Sequence, residues 1–364
     1  MFSSGEVTYS SYNLIGQEIG NKHVRFGQSE GNYLQRHNTN YEKLLKIINN
    51  FQNLNVLVVG DIIVDDYINC DPIGMSQEDP TIVVTPIDTH TFVGGAGVVA
   101  SHAKGFGANV SLCSVSGDDE TSIFVRNAFK RLDIDHDIFS DNTRPTTRKK
   151  RYRAHGKTLL RVNHLRHHDL SEEFCKKLKN AVLSRLPVVD VLLLSDFNYG
   201  CLPQELVNCF SDEANRLGIF VAADSQASSQ ISDISRFKNM DLITPTEHEA
   251  RLAVKDNISG IAFLAEILRK KSNAKNIIIT LAADGILING MWNSAIISDR
   301  LPAFNTSPKD PAGGGDILFA STAMSLRLGG NIWESAFIGS LAAACQVDRV
   351  GNNPLSLSAV SYTH

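Results

Sequence analysis

Seven residues carry the densest chemical signal in this chain: Asp310-Pro311-Ala312-Gly313-Gly314-Gly315-Asp316. They run directly into Ile317-Leu318-Phe319-Ala320-Ser321-Thr322-Ala323-Met324, an apolar stretch that predicts a helix. The first turn of a helix carries backbone N–H groups without intrahelical partners, and its dipole end is positive. Glycines there leave the backbone bare, so an anion can approach it closely. Asp316 then sits beside that anion as a possible proton acceptor. A phosphate next to a base is what phosphoryl transfer to a hydroxyl needs. A plain glycine turn before a core helix accounts for these residues alone about equally well. The rest of the chain must decide.

The elements that would position this segment have an alternating α/β texture from Asn55 onward. Short aliphatic runs recur at Val56–Val59, Val110–Cys113, Val191–Leu194, Ile219–Ala222, Leu242-Ile243 and Ile277–Ile279. Helical periodicity separates them at Phe174–Leu186, Gln204–Leu217 and Ile261–Lys270. Strands buried on both faces and separated by helices predict a mostly parallel sheet with helices on each side. Ile62–Ile87 and Arg148–His164 break the rhythm and read as hairpin strands with mixed faces. A small sheet standing over a site is the simplest account of them. Residues 1–50 are richer in Ser, Asn, Gln and Gly. We read 1–40 as an extension or linker and 40–52 as a helix leading into the main domain, 51–364.

Several polar residues fall at the predicted strand ends, where open α/β sheets bind ligands. They are Asp61 and Asp65 after the first run, Asp196 after Val191–Leu194, and Asp224 after Val221-Ala222-Ala223. Gly94-Gly95-Ala96-Gly97 precedes a predicted helix, Val98–Gly105. A capping or turn role is the alternative for each of these. The run Arg148-Lys149-Lys150-Arg151-Tyr152-Arg153 is the densest basic cluster. It is too short to indicate a nucleic-acid partner in a chain of net charge −4, but it suits a phosphorylated small molecule. No P-loop pattern occurs, so a nucleoside triphosphate would be bound by other means. The six cysteines form no C-x-x-C pair and read as reduced thiols, in keeping with a cytoplasmic location. The opening residues lack the features of a signal peptide, and no apolar run is long enough to span a bilayer, so no membrane association is expected. His164, His167 and His168 lack the spacing of a zinc set.

Taken in order, these segments resemble the ribokinase-like, or PfkB, carbohydrate kinases over about residues 53–355. The similarity is greatest to the heptose 7-phosphate kinase branch of ADP-heptose synthesis. It rests on Gly60–Asp65, Gly94–Gly97, Ser195-Asp196-Phe197-Asn198-Tyr199-Gly200, Thr244-Pro245-Thr246-Glu247-His248-Glu249, Thr280–Gly285 and Asp310–Asp316. The resemblance implies a ribokinase-like three-layer sandwich with a small β-sheet lid near 62–90 and 148–164. It implies ATP-dependent phosphorylation of a sugar or sugar-phosphate hydroxyl, with Asp316 as base and Gly313, Gly314 and Gly315 as an anion hole. Asp61, Asp65, Gly94, Gly95 and Asp196 would meet the sugar, and Lys149, Arg151 and Arg161 its phosphate. A solvated cationic strand is the alternative for each of the three cations. Asp224, Thr246, Thr280, Gly285 and Asp310 would line the nucleotide, and Glu249 would act on Mg²⁺ through water. The lid strands are a candidate homodimer surface.

The chain also departs from the family pattern. Val98 stands where heptose-type relatives commonly have Asn, and Tyr199 where related kinases often have Lys. Ser225-Gln226 replaces Pro-Lys, Thr246 replaces Asn, Ala312 replaces Thr, and Gly314 replaces Ala. These changes support an alternative, a catalytically weak member that binds nucleotide or sugar phosphate as a scaffold or sensor. The segment Phe2–Ser11 looks like the trailing end of a nucleotidyltransferase domain, which some relatives carry on the same polypeptide.

Overall fold

The computed structural model describes residues 33–226, 233–305 and 307–357. The segment compared above with a nucleotidyltransferase lies outside them. Helix α1 spans Tyr41–Asn49; the Asn40 side chain caps it by accepting a hydrogen bond from Lys43 N at 2.9 Å. Its Leu44, Ile47 and Ile48 face inward, one turn apart or adjacent, as a helix lying on a core requires.

Strand β1 (Asn55–Gly60) follows and is third from one edge of a nine-stranded sheet. It pairs in parallel with β4 (Asn109–Ser116) on one side and β8 (Val191–Asp196) on the other. From there the sheet runs outward to β5 (Asp135–Ser140) at one edge. On the other side come β9 (Phe220–Ser225), β10 (Leu242–Ile243) and β11 (Asn276–Thr280), all parallel. The far edge is antiparallel, formed by β12 (Ile286–Trp292) and β13 (Ala295–Leu301). Asn293 and Ser294 join those two strands with φ of 46° and 67°, the left-handed pair a tight hairpin needs. This edge hairpin and β5 were not foreseen, because their runs are interrupted by polar residues.

Side chains alternate along β1 and split the core in two. Val56 and Val58 join α1, α2 (Ala96–Gly105), α3 (Glu120–Arg131), α8 (Gly314–Arg327) and α9 (Ile332–Val347). Leu57 and Val59 point the other way, toward α4 (Glu172–Arg185), α5 (Gln204–Leu217), α6 (Glu247–Val254) and α7 (Ile261–Ser272). The result is a three-layer sandwich.

The two irregular regions form a separate four-stranded sheet in the order β3-β2-β6-β7. Its strands are β2 (Ile62–Met75), β3 (Ile82–Gly95), β6 (Thr147–Ala154) and β7 (Lys157–His164). Its outer reaches are exposed, so strand pairing rather than core burial defines it.

The chain before α1 packs on the body and is not a loose linker from Tyr33 onward. Tyr33 is fully buried, and its hydroxyl donates to Trp333 O at 2.9 Å. The His37 ring stacks on Trp333 with centroids 4.3 Å apart, and His37 and Arg36 both reach Asp299 on β13. Among the described residues no helix is long and apolar enough to cross a membrane.

Candidate active site

The carboxyl ends of β8, β9, β10 and β11, the lid and the start of α8 enclose a cleft of about 990 Å³. Its floor is the glycine segment. Gly313 adopts φ +78° at the N-cap of α8, and no side chain caps the helix there. The first-turn N–H groups are therefore not taken up by a side-chain cap. A Cβ built at Gly315 would meet nothing within 4 Å, so this stretch of backbone opens onto the cleft.

Asp316 lies in the first turn of α8, buried and lining the cleft. Burial, then the nearby Asp65 carboxylate, push its pKa up to about 7, although Lys149 and a hydrogen bond from Gln226 pull the other way. Gln226 Nε2 donates to Asp316 Oδ1 at 3.0 Å and to Asp224 Oδ2 at 3.4 Å. It thereby bridges the two carboxylates. Asp224 is held above the usual carboxylate range by burial and by the charges of Glu249 and Asp316.

Glu249 is buried, not the exposed helix residue its sequence context allows. It forms a capping box with Thr246: Glu249 Oε2 accepts from Thr246 N at 2.8 Å, and Thr246 Oγ1 accepts from Glu249 N at 3.2 Å. Thr246 thus performs structural work at the start of α6 while lining the cleft. Among the described residues no cluster of three side chains could hold a metal ion directly. The donors present suit Mg²⁺, which keeps most of its waters and takes one or two carboxylates with substrate phosphates.

At the lid end, Asp65, Gly95, Lys149 and Arg151 line the cleft. Arg151 Nε and Nη2 both donate to Asp65 Oδ1, at 3.1 and 2.9 Å. Lys149 is buried on the inner face of the lid, with Nζ 5.1 Å from the Phe197 ring centre and 5.3 Å from that of Tyr199. Burial lowers its pKa to about 8, with Asp65 opposing. Tyr199, which stands in place of a family lysine, is therefore a platform for a lysine arriving from β6. Val98 is buried in the core on α2, away from the cleft. The strand alternation of β6 was the missing information: Arg148 turns outward to pair with Asp66 at 2.6 Å, while Lys149 and Arg151 turn inward.

Thr280, Gly285, Asp224 and Thr246 line the opposite end together with Ala303, Asn305, Ser340 and Asn352. Those last four were not foreseen, since nothing in their local sequence marks them. Five expected contact residues do not line the cleft. Asp61 is turned into the body, accepting from Phe197 N at 2.8 Å, Tyr199 N at 3.3 Å and Cys201 N at 3.2 Å. Its pKa is pushed up to about 6 by burial and by Asp196. Asp196 is engaged by Ser225 Oγ at 2.9 Å and Arg236 Nη2 at 2.8 Å. Gly94 lies behind Asp65, where a Cβ would come within 2.5 Å of Oδ2. Asp310 accepts from Ala312 N at 3.2 Å and Gly351 N at 3.1 Å, holding the approach to the glycines rather than facing the cleft. Arg161 and Asp310 line a second cavity on the far side of Pro311 and Ala312. Carboxylates that end strands look alike in sequence; neighbouring backbone N–H groups decide which of them turn inward.

The chain belongs to the pfkB family of carbohydrate kinases, whose model matches residues 54–358. It is 30% identical over 325 residues to the Bifunctional protein HldE of Sulfurimonas denitrificans, covering 87% of this chain and 65% of that protein. It is also 30% identical over 301 residues to the protein of the same name from Wolinella succinogenes, covering 82% of this chain and 62% of the relative. The chain thus spans just under two thirds of these relatives' length. The fold is ribokinase-like. Phosphofructokinase-2 from Escherichia coli, solved with potassium, superposes with a TM-score of 0.67 at 15% identity, covering 84% of this chain and 96% of that one. Arabidopsis thaliana ribokinase, solved with ribose and ATP, gives 0.65 at 16% identity, covering 84% and 97%.

Proposed function

We propose that the chain transfers the γ-phosphoryl group of ATP to a hydroxyl of an anionic sugar, a sugar phosphate. One observation carries this reading: a buried carboxylate with a raised pKa, Asp316, stands at the bare N-terminus of α8 in a cleft whose lid end holds Lys149 and Arg151. The acceptor hydroxyl gives its proton to Asp316 as its oxygen bonds to the γ-phosphorus. The bond from that phosphorus to the bridging oxygen breaks, and the electron pair leaves with ADP. The N–H groups at the start of α8 stabilise charge on the transferring phosphoryl oxygens. Glu249 would hold hydrated Mg²⁺, which neutralises phosphate charge when bound. Asp65 and Gly95 orient the sugar beneath the lid. The decisive assay measures ADP release with ATP and Mg²⁺ over a panel of free and phosphorylated sugars. Turnover of at least one sugar phosphate is expected, and ATP with Mg²⁺ should raise the melting temperature by binding the folded state. Stabilisation without turnover anywhere on the panel would instead favour a nucleotide-binding scaffold.

Lys149 gives this reading a pH signature. In the free enzyme, kcat/KM for a sugar phosphate should rise through about pH 7 as Asp316 loses its proton, and fall above about pH 8 as Lys149 loses its own. Lys149→Met should abolish the alkaline limb and raise KM for the sugar phosphate while leaving KM for ATP unchanged. Retention of that limb would exclude Lys149 as its source.

The exposed Ile73, Met75, Ile82 and Ile87 of β2 and β3 form an apolar lid margin, which we read as the homodimer surface. Ile73→Asp with Ile87→Asp should yield a monomer by light scattering, while the parent elutes as a dimer.

A further inference from the structure

Asp224 at the end of β9 and Asp316 at the start of α8 both reach one nitrogen, Gln226 Nε2, at 3.4 and 3.0 Å. Ionised carboxylates only accept, so the –NH2 end of the amide must face them, and its two N–H groups can serve both. A second layer of hydrogen bonds fixes Gln226 itself. Its backbone N donates to Asp196 O at 2.8 Å, and its backbone O accepts from Asn198 Nδ2 at 3.2 Å. Asn198 is held in turn: its N donates to Asp196 Oδ1 at 3.0 Å, and its φ of 59° lies in the left-handed region that asparagine tolerates. Asp196 Oδ2 accepts from Ser225 Oγ at 2.9 Å and from Arg236 Nη2 at 2.8 Å. Of these five residues only Gln226 lines the cleft, so the network behind it ends on the base. The other charged groups facing Asp316 are Asp65 from β2, Glu249 from α6 and Lys149 from β6. A cation at position 226 would stand within hydrogen-bond reach of both Asp224 and Asp316 and would favour their ionised, weakly basic forms. The amide orients Asp316 without adding that charge.

We propose that Gln226 is a positioning residue for the proton-accepting step: it holds Asp316 by Oδ1, leaves Oδ2 for the acceptor hydroxyl, and keeps the position beside the base neutral. This role rests on the kinase reading. The hydroxyl proton passes to Oδ2 as the new O–P bond forms and the bridging oxygen leaves with ADP. Beside a neutral donor the Asp316 pKa stays at about 7, high enough for the carboxylate to take a proton near neutral pH. Asp196 and Asn198 act one step further back, by fixing the backbone from which the amide reaches.

The test compares Gln226→Leu and Gln226→Lys with the parent on the full chain, with ATP, Mg²⁺ and the best acceptor found for the parent. Gln226→Leu removes both donors. It should lower kcat by about tenfold or more through misalignment of the base, and leave KM for ATP nearly unchanged. It should also move the acid limb of kcat/KM to higher pH, because the ionised carboxylate loses a hydrogen bond. Gln226→Lys keeps a donor and adds charge, so it should move that limb lower by about one pH unit or more. Asn198→Gly loosens Gln226 without touching either acid, and should shift the limb in the same direction as Gln226→Leu by a smaller amount. A folding defect alone would lower the melting temperature and the rate without moving a pH limb. A second readout needs no turnover. With aspartate carboxyl carbons labelled for NMR, the Asp316 resonance is identified by its loss in Asp316→Asn. Its titration should move to lower pH in Gln226→Lys and to higher pH in Gln226→Leu. With an active parent, an unmoved acid limb or an undiminished kcat in Gln226→Leu overturns the role of Gln226 and leaves the kinase reading standing. A parent that phosphorylates no sugar on the panel overturns both, and the carboxyl titration then shows separately whether Gln226 controls Asp316.

Discussion

Asp316→Asn should reduce kcat by ~100- to 10,000-fold, the usual contribution of a general base, and leave ATP affinity nearly unchanged. Asparagine keeps the shape of the side chain and can still hydrogen-bond Gln226 after an amide rotation, so the floor of the cleft should survive. It cannot take a proton from the acceptor hydroxyl. The parent enzyme should show an acid limb in kcat/KM near pH 7, because burial and Asp65 raise the Asp316 pKa to that point. The sign follows from the role: activity needs the deprotonated carboxylate, so it is lost as pH falls through about 7. Stability runs the other way for this group. The folded state holds the proton up to a higher pH than the unfolded chain does, so its contribution to stability diminishes as pH rises from about 4 to about 7. Single-turnover rates of the parent and Asp316→Asn check the first statement across this range, and denaturant unfolding of both proteins at the same pH values checks the second. An undiminished rate in the variant would remove Asp316 from the chemistry.

The second large effect is expected at Gly313. Its φ of +78° is a conformation that side chains other than glycine rarely adopt, and an added Cβ would come within 2.7 Å of Asn352 Oδ1. Gly313→Ala must therefore rotate the backbone or push Asn352 aside, and either moves the N–H groups that follow. Loss of one donor from such a hole typically costs about 100- to 1,000-fold in kcat. Gly218→Ala provides the control. Gly218 ends α5 at φ +72° with nothing within 4 Å of its would-be Cβ, so the same strain arises there without a neighbour and far from the glycine floor in sequence. It should lower stability by about 1–2 kcal/mol and spare kcat. Thermal melts and steady-state rates for the pair separate a catalytic loss from a folding loss. Equal kcat in both variants would mean that the α8 terminus does not hold the phosphoryl group.

Much of this architecture can be read from residue types. The aliphatic runs at Val56–Val59, Val191–Leu194 and Ile277–Ile279 belong to the parallel sheet, and Gln204–Leu217 is a helix over that span. These elements are uniformly buried or strongly amphipathic, so local pattern suffices. The lid was legible as a break in that pattern, but not the direction of each side chain. Lys149 and Arg151 face inward because β6 pairs with β2 in a register that sets Lys149 beside Asp65 and Arg151 beside Tyr67. Register depends on contacts more than 80 residues apart, which short-range periodicity does not contain. The strand-end acids make the same point. Asp65 and Asp224 line the cleft, while Asp61 and Asp196 serve backbone and side-chain donors from the β8–α5 turn and beyond. Gln226 was noted only as the loss of a lysine. Its value as a neutral bridge depends on Asp224 and Asp316, which are separated by 92 positions in sequence and meet only in the fold.

The segment before α1 bears on how this protein could be divided. Tyr33, Arg36 and His37 fasten it to Trp333 and Asp299, on the face formed by α9 and β13. A cut at residue 50, where composition changes, would strip the cover from Trp333 and also remove Lys43, the ion-pair partner of the fully buried Glu334. A minimal autonomous unit therefore begins no later than Tyr33. In a unit that starts at Tyr33, an affinity handle would be anchored within a few residues of β13, through Arg36 and His37 on Asp299.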